Sequence, residues 1–418
     1  MTATPTARPV RAGTAWAIAA ATSALLLLTA CSPGTNSATT PTAATDEALA
    51  QAQQIDADAV VLVVGAHANS PEPHLSPLAT AVTTEAVNAS RPISVVTVSG
   101  NPRLNTDLDI GTPKDTDTTS GREALIRKSL KSVAGTITAP AESDGADLLE
   151  AIALANSSIR SRHAARPVII VADSGLSDTG RLDMTAPGML GADPTQTAEY
   201  LAAHHALPDL SGTTVILGGI GYTAAPQTPL DGPQRTRLAT LWESVLTAAG
   251  ATAVHLDQTP NTRDAVETSH TVGTVAVPAA PAVPTGCTPS TLVFDSQSQV
   301  SFAPDTTTLI DEQAARAAMA PVADWLTDNP TRTAVIRGTT ADDGPLTYQK
   351  DLGLQRAQAV AVLLTGAGVV PGQLQAVGVG SNFPEFVPDR AADGTLLPGP
   401  AALNRSIRID SDPHGTCR

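Results

Sequence analysis

The chain has 418 residues, enough for two or three domains, and 42% of them are hydrophobic but only 2% aromatic, so its cores must be built from Ala, Val, Leu and Ile. The formal net charge is -15, and no Lys- or Arg-rich run follows the first dozen residues. Nucleic acid is bound through clustered cations that displace counterions from the phosphates, so this composition excludes a nucleic-acid partner.

The N-terminus carries the features of an export signal. Arg8 and Arg11 provide positive charge, and the apolar stretch 15–28 is too short to span a bilayer. It ends in Leu-Thr-Ala-Cys31, which resembles a bacterial lipobox. The resemblance implies cleavage before Cys31 and a lipid on its thiol, so we expect 1–31 to be a signal peptide and lipobox. The protein is then anchored in the cell membrane and faces outside the cytoplasm. The alternative is an ordinary secretory signal with an incidental cysteine.

Two further cysteines, Cys287 and Cys417, flank the C-terminal part of the chain. An exported protein resides in an oxidising compartment, so the pair predicts one disulfide, with two free thiols as the alternative. Closing so long a loop contributes up to about 5 kcal/mol in the chain-entropy model. No His or carboxylate lies at a ligand spacing from either cysteine, so we expect no metal there.

Composition divides the rest of the chain into four parts. Residues 32–54 are rich in Ser, Thr, Pro and Ala and predict a tether. Residues 263–289 contain Val-Pro-Ala-Ala-Pro-Ala-Val-Pro and predict a semi-rigid, extended linker. Two globular domains are therefore predicted, at 55–262 and at 290–418.

The first of these regions alternates apolar runs with helical segments. The predicted strands are Ala59–Val64, Ile93–Ser99, Val168–Ala172 and Thr213–Gly219, and the predicted helices are Gly121–Ser132, Asp144–Ser158 and Gln234–Ala249. Continuous apolar runs indicate strands buried on both faces, and strands separated by helices predict parallel pairing. The fold class is therefore α/β with a doubly wound, mostly parallel sheet, whose ligand crevice lies at the carboxyl ends of the strands.

The order of these elements resembles the von Willebrand factor A fold. Asp144-Gly-Ala-Asp147 opens a long helix, Asp173-Ser-Gly175 follows the third strand, and Trp242 lies on the last helix. That family binds a divalent metal through Asp-x-Ser-x-Ser after the first strand, a Thr and a later Asp.

The residues that a metal site of this family needs are mostly replaced here. Those positions hold Gly65, His67, Asn69, Ala146 and Asp173, of which only the last matches. A hard cation needs several converging oxygen ligands, so we expect no metal and no other cofactor. The resemblance implies instead a surface for a protein partner near Asn69 and Asp173.

The C-terminal region resembles the OmpA-like peptidoglycan-binding domain over nearly its whole length. The matching segments are Val300–Asp305 with Leu309, Ala334–Thr340, Gly344 and Tyr348, Leu352 with Arg356, Ala357 and Val360, Val377–Gly380, and Asn404-Arg405. The register runs without a gap from Gly338 to Val360. The resemblance implies two helices on a mixed sheet.

The chemistry of that family is non-covalent binding to meso-diaminopimelate in the stem peptide of the cell wall. An Arg forks onto a carboxylate of the ligand and an Asp pairs with its ammonium. Arg356 falls at the Arg position, but Ala341 falls at the Asp position, with Asp342 and Asp343 as candidate substitutes. The predicted peptidoglycan-binding residues are Arg356, Asp342, Asp343, Gln349, Thr340 and Asn404.

The sequence as a whole predicts a surface lipoprotein without catalytic activity. Its OmpA-like domain binds, or once bound, peptidoglycan, and its other domain is offered to a protein partner that the sequence does not identify. One alternative is an envelope scaffold whose OmpA-like domain binds protein rather than cell wall. Another is an envelope enzyme that uses the crevice around His67 and Asp173.

Overall fold

A short helix opens the part of the chain that the computed structural model describes, which is 45–417 apart from 107, 113, 115, 116, 414 and 416. The predicted signal peptide, the lipid attachment at Cys31 and the tether as far as 44 lie outside the described residues. Helix α1, Asp46–Ile55, occupies the rest of the predicted tether. Thr45 caps its first turn, and Ala48 and Ala52 are buried in the core of the domain that follows. The globular region therefore begins inside the stretch predicted to be a tether.

The first domain is built on a six-stranded sheet in the order β3-β2-β1-β4-β5-β6. The strands are β1 (Ala59–Val64), β2 (Ile93–Thr97), β3 (Arg103–Asn105), β4 (Pro167–Ala172), β5 (Thr214–Gly218) and β6 (Ala253–Asp257). All neighbours run parallel except the edge strand β3, which is antiparallel to β2. Every residue of β1 and β4 is buried, as expected of central strands covered on both faces.

Helices cover both faces of this sheet. They are α2 (Pro77–Asn88), α3 (Thr119–Ile137), α4 (Leu148–Arg160), α5 (Pro194–Ala203) and α6 (Gly232–Ala248). Helices α1 to α3 pack on one face and α4 to α6 on the other, each with its own core. The strand order reverses between β1 and β4, so the crevice of a doubly wound fold lies at the carboxyl ends of these two strands.

The second domain has a four-stranded mixed sheet in the order β7-β10-β8-β9. Its elements are β7 (Ser290–Phe294), α7 (Glu312–Thr327), β8 (Ala334–Thr339), α8 (Leu346–Gly366), β9 (Leu374–Gly380), α9 (Pro398–Asn404) and β10 (Ile407–Ser411). Strands β8 and β9 are parallel, and β10 is antiparallel to both of its neighbours. The predicted class is confirmed: a mostly parallel α/β sheet is followed by a second α/β domain.

Helix α8 lies unusually close to the sheet of the second domain. A Cβ atom at Gly338 of β8 would lie 1.9 Å from the carbonyl oxygen of Gly353 in α8, and one at Gly378 of β9 would lie 1.9 Å from that of Lys350. Only glycine permits this approach, because such separations are far below van der Waals contact. The close packing fixes the height at which Arg356, one turn beyond Gly353, meets the end of the sheet.

The predicted linker does not hold the two domains apart. Within 263–289, Val272 and Val275 are buried in the core of the first domain. The domains contact each other directly: Gln234 Nε2 donates to the carbonyl oxygen of Gln297 at 3.2 Å, and Gln299 Nε2 donates to Asp231 Oδ2 at 2.9 Å. The described residues belong to one compact unit. None of the helices in this part of the chain is long and apolar enough to cross a membrane.

Candidate functional site

The crevice of the first domain contains a buried pair, His67 after β1 and Asp173 after β4. Nε2 of His67 lies 2.9 Å from Asp173 Oδ2, and Nδ1 lies 2.6 Å from the carbonyl oxygen of Ala68. Both neighbours are acceptors, an arrangement that favours the cationic imidazole, in which both ring nitrogens donate. Burial lowers the pKa of His67, but the hydrogen bond to Asp173 and its charge outweigh this, so the pKa lies above 6.5.

Sequence and packing explain why this crevice departs from a metal site. A Cβ atom at Gly65 would lie 2.1 Å from Asp173 Oδ2, so a carboxylate side chain at position 65 has no room beside Asp173. The remaining oxygen of Asp173, Oδ1, accepts from the backbone N–H of Gly175 at 2.6 Å. Among the described residues, no group of three or more His, Cys, Asp or Glu is placed to hold a metal ion.

A segment of the predicted linker, 271–275, crosses the crevice, and we call it the strap. Asn69 Nδ2 donates to the carbonyl oxygens of Val272 and Gly273, both at 2.9 Å, and Val275 N–H donates to Gln227 Oε1 at 2.7 Å. Asn69 and Asp173 are each only 3% exposed. The strap covers Asn69, whereas the carboxylate of Asp173 is used by His67 and Gly175. Neither side chain is exposed to a partner in this structure, and the partner surface near them stays a prediction.

A second site lies around Arg356, which α8 carries to the end of the second sheet. Arg356 is 6% exposed, and its Nε donates to the carbonyl oxygen of Thr306 at 2.9 Å. Its guanidinium lies 5.3 Å from the centre of the Phe302 ring, within range of a cation–π contact. Burial, and next the charge of Arg405, lower the pKa of Arg356 to about 10, so it stays protonated at neutral pH.

The guanidinium faces a cavity of about 280 Å³ that lies between the two domains, which we call the interdomain cavity. Its lining includes Asp193 and Arg237 of the first domain and Phe302, Arg356 and Arg405 of the second. Arg237 is 6% exposed and donates to Ser301 Oγ across the domain boundary. Nη2 of Arg405 donates to Gln196 Oε1 at 2.6 Å, whereas its Nη1 is buried without a hydrogen-bond partner among the described residues. Burial lowers the pKa of Arg237 to about 10.

The other predicted binding residues do not line the interdomain cavity. Asp342 and Asp343 lie 3.7 Å from the guanidinium of Arg390, and Ala341 is buried. The structure therefore brings neither acidic substitute to Arg356. Gln349 Nε2 donates to Asp342 Oδ1 and to the carbonyl oxygen of Gly344, so it braces the turn before α8.

Asn404 and Thr340 are also absent from the lining of this cavity. Asn404 Nδ2 donates to Asp389 Oδ2 at 2.9 Å and to the carbonyl oxygen of Val387 at 2.7 Å, which ties the loop after β9 to the end of α9. The hydroxyl of Thr340 is buried without a partner among the described residues. Of the six predicted residues, Arg356 alone reaches the cavity.

Sequence reasoning missed Arg237, Arg405 and Asp193 as cavity residues. Arg405 stands in the matched pair Asn404-Arg405, so the motif signalled it. Arg237 and Asp193 belong to the first domain, and no motif in the sequence connects them with Arg356. Only the packing of the two domains shows that they share one cavity.

Cys287 and Cys417 are joined by a disulfide with a Cα–Cα distance of 5.5 Å. It links the segment just before β7 to the segment after β10, which are neighbouring strands. The bond therefore closes the second domain, including Arg356 and Arg405, into one loop.

Comparison with known proteins identifies the second domain. A model of the OmpA family matches 301–392, a segment that contains α7, β8, α8 and β9 together with Arg356. The chain therefore carries an OmpA-like domain at its C-terminus. A search of curated proteins found no match.

Several solved structures are similar to part of the chain. The peptidoglycan-associated lipoprotein from Burkholderia pseudomallei is 29% identical, with a TM-score of 0.22, covering 26% of this chain and 84% of its own. A cell wall anchor from Pseudomonas aeruginosa is 24% identical, with a TM-score of 0.24, covering 31% and 86%. The periplasmic domain of MotB from Helicobacter pylori is 22% identical, with a TM-score of 0.24, covering 29% and 81%.

Proposed function

We propose that this protein is an envelope lipoprotein that is anchored through Cys31 and binds peptidoglycan non-covalently through its OmpA-like domain. One observation carries the proposal. Arg356 stands in the family register, is buried, and still has Nη1 without a hydrogen bond among the described residues while it faces an open cavity. A buried guanidinium with an unused donor is suited to a carboxylate ligand, because charge-assisted hydrogen bonds strengthen where water is excluded.

The rest of the site prepares Arg356 for this role. The carbonyl oxygen of Thr306 holds Nε, and the ring of Phe302 supports one face of the guanidinium. The close contact of Gly338 with Gly353 fixes the helix that carries it. The side chain is thus positioned before ligand arrives, so little conformational entropy is lost on binding.

Co-sedimentation of the full chain with sacculi that contain meso-diaminopimelate tests this function. We expect saturable binding by the wild type and at least a tenfold loss in Arg356→Gln, because hydrogen bonds to charged groups contribute about 1.5–3 kcal/mol. The matched control is Arg316→Gln, which removes an exposed arginine that is paired with Glu312 on α7. Absence of binding by the wild type, or equal binding by the Arg356 variant, overturns the proposal.

The lipid anchor is a separate part of the proposal. It is supported by the apolar stretch that ends in Leu-Thr-Ala-Cys31. Labelling of cells with a radioactive fatty acid should mark the wild-type chain and leave Cys31→Ser unmarked. Equal labelling of the two chains contradicts anchoring at this residue.

For the first domain, we propose a relative of the von Willebrand factor A fold without its metal and without catalytic activity. Support comes from the strand order with its single antiparallel edge and from the crevice between β1 and β4. His67 is only 2% exposed and both of its nitrogens are engaged, so it cannot meet a substrate in this structure.

A further inference from the structure

We propose that the first domain completes the wall-binding site, so that Arg237 and Asp193 contact the same stem peptide as Arg356 and Arg405. This inference rests on the proposed function, since it names the ligand end that the wall site receives. The ligand class is the diaminopimelate end of a stem peptide that is not cross-linked, and this last residue carries two free carboxylates and one free ammonium.

The charges around the interdomain cavity carry the argument. Three arginines, Arg237, Arg356 and Arg405, line it together with a single acidic residue, Asp193. Among the described residues none of the three arginines lies within 4.0 Å of a carboxylate, although the charges of Asp295 and Asp231 act on Arg237 and that of Asp305 acts on Arg356. Nη1 of Arg405 is buried without a hydrogen-bond partner in this part of the chain. Unpaired buried cations are costly, so a cavity that gathers them is suited to an anionic ligand.

The first domain contributes a positive charge to the interdomain cavity, which suits binding of an anionic ligand. If its role were only to block the cavity, the effective means would be a carboxylate placed on Arg356 in imitation of the ligand. It instead adds a third cation, Arg237 on α6, and the polar side chain of Gln196, which accepts from Arg405 at 2.6 Å. The arrangement therefore favours shared binding over autoinhibition.

Asp193 offers the acidic group that Ala341 cannot provide. It caps α5, and its Oδ1 accepts from the backbone N–H of Gln196 at 3.0 Å, while Oδ2 has no hydrogen bond among the described residues. That oxygen is available to a ligand ammonium in the same cavity. The acid that the family carries at the end of β8 is thus replaced in function by one from the other domain.

The balance of charges identifies the form of the ligand. Three guanidinium groups and one carboxylate favour a ligand end in which carboxylates outnumber ammonium groups, such as two carboxylates with one ammonium. A stem peptide that ends at diaminopimelate has this set: its own terminal carboxylate, and the carboxylate and ammonium at the far end of the diaminopimelate side chain. A cross-linked peptide lacks the ammonium, because an amide has replaced it. The volume of about 280 Å³ lies near the lower end of small-molecule sites, roughly 300–1,000 Å³, so the ligand end is compact.

Calorimetric titration of the full chain with three synthetic tripeptides tests the inference. The parent probe is L-Ala-γ-D-Glu-meso-diaminopimelate, the second is its carboxamide at the terminal carboxyl, and the third is acetylated at the side-chain ammonium. We expect the wild type to bind the parent probe about tenfold or more tightly than either derivative, since each derivative leaves a buried charge unpaired.

Two variants assign these preferences to the first domain. Arg237→Gln should lose about tenfold in affinity for a probe with a free terminal carboxylate, and Asp193→Asn should lose the preference for the free ammonium while it keeps the helix cap. Arg181→Gln, which removes an exposed arginine outside the cavity, is the matched control and should bind like the wild type. The thermal midpoint of each variant confirms that it is folded.

The outcomes separate the inference from the proposed function. If Arg356→Gln loses binding while Arg237→Gln and Asp193→Asn bind all probes like the wild type, wall binding stands and the shared site is wrong. If the wild type binds sacculi but no tripeptide, the inference is again overturned. If it binds neither, both proposals fall.

Discussion

The crevice of the first domain and the interdomain cavity both bury charged side chains. They differ in whether the protein itself provides hydrogen-bond partners for those side chains. In the crevice, His67 and Asp173 use each other and neighbouring backbone groups, so no donor of the imidazole is left over. In the cavity, Arg356 and Arg405 retain donors that no described residue accepts. A buried cluster that satisfies itself stabilises the fold, whereas one that leaves like charges unpaired costs stability unless a ligand completes it.

The largest expected effect on unfolding free energy concerns the disulfide of the second domain, which carries Arg356 and Arg405. Reduction of the Cys287–Cys417 disulfide should lower the free energy of unfolding of the second domain by up to about 5 kcal/mol, because the bond closes a loop with a separation of 130 residues. Urea unfolding with and without reductant measures it. The double variant Cys287→Ser/Cys417→Ser should not respond to reductant, and an equal response would place the effect elsewhere.

The next largest effect tests whether the crevice pair is structural. Asp173→Ala leaves the imidazolium of His67 buried without its partner, which should cost about 3–5 kcal/mol in unfolding free energy. Removal of an exposed carboxylate of the same domain, in Glu199→Ala, is the control and should change little. If Asp173→Ala loses no more unfolding free energy than Glu199→Ala, the pair contributes no stability and the prediction is wrong.

The same pair predicts how stability depends on pH. The folded pKa of His67 lies above 6.5, so its contribution is complete below the unfolded pKa and is lost as the pH rises through the folded value. The free energy of unfolding should therefore fall with rising pH in this window, and the fall should be smaller in His67→Gln. Urea unfolding at a series of pH values checks this, and parallel profiles for the two chains would contradict it.

The smallest effect is expected in the cavity. Arg405→Gln removes a positive charge that Arg356 repels, and it also removes a buried nitrogen that has no hydrogen-bond partner. The free energy of unfolding should therefore change by less than about 1 kcal/mol. Arg337→Gln is the contrasting variant, because Arg337 forms two hydrogen bonds with Asp410, at 2.6 and 2.9 Å. This substitution should lower the free energy of unfolding by more than Arg405→Gln does. If Arg405→Gln is the more damaging change, the cavity arginines are structural after all.

The amino-acid sequence by itself determined those elements whose local pattern is compatible with only one kind of secondary structure. The continuous apolar run Ala59–Val64 was predicted as a strand with the ends that β1 has, because such a run must be buried on both faces. Position 356 was assigned from the register of a motif that the family match contains. In contrast, β3 has three exposed residues and α2 is rich in Thr, so neither gave a clear period and neither was predicted.

Tertiary structure alone decided which groups meet. The Pro-rich segment reads as a spacer, yet Val272 and Val275 are apolar enough to be buried, and the strap covers Asn69. Asp342 and Asp343 are adjacent to the motif in sequence, but they lie 3.7 Å from Arg390, far along the chain, and do not line the cavity of Arg356. Arg237 reaches the same cavity only because the two domains dock. Sequence patterns encode local periodicity and burial, whereas a site made by two domains depends on contacts between segments that no local pattern relates.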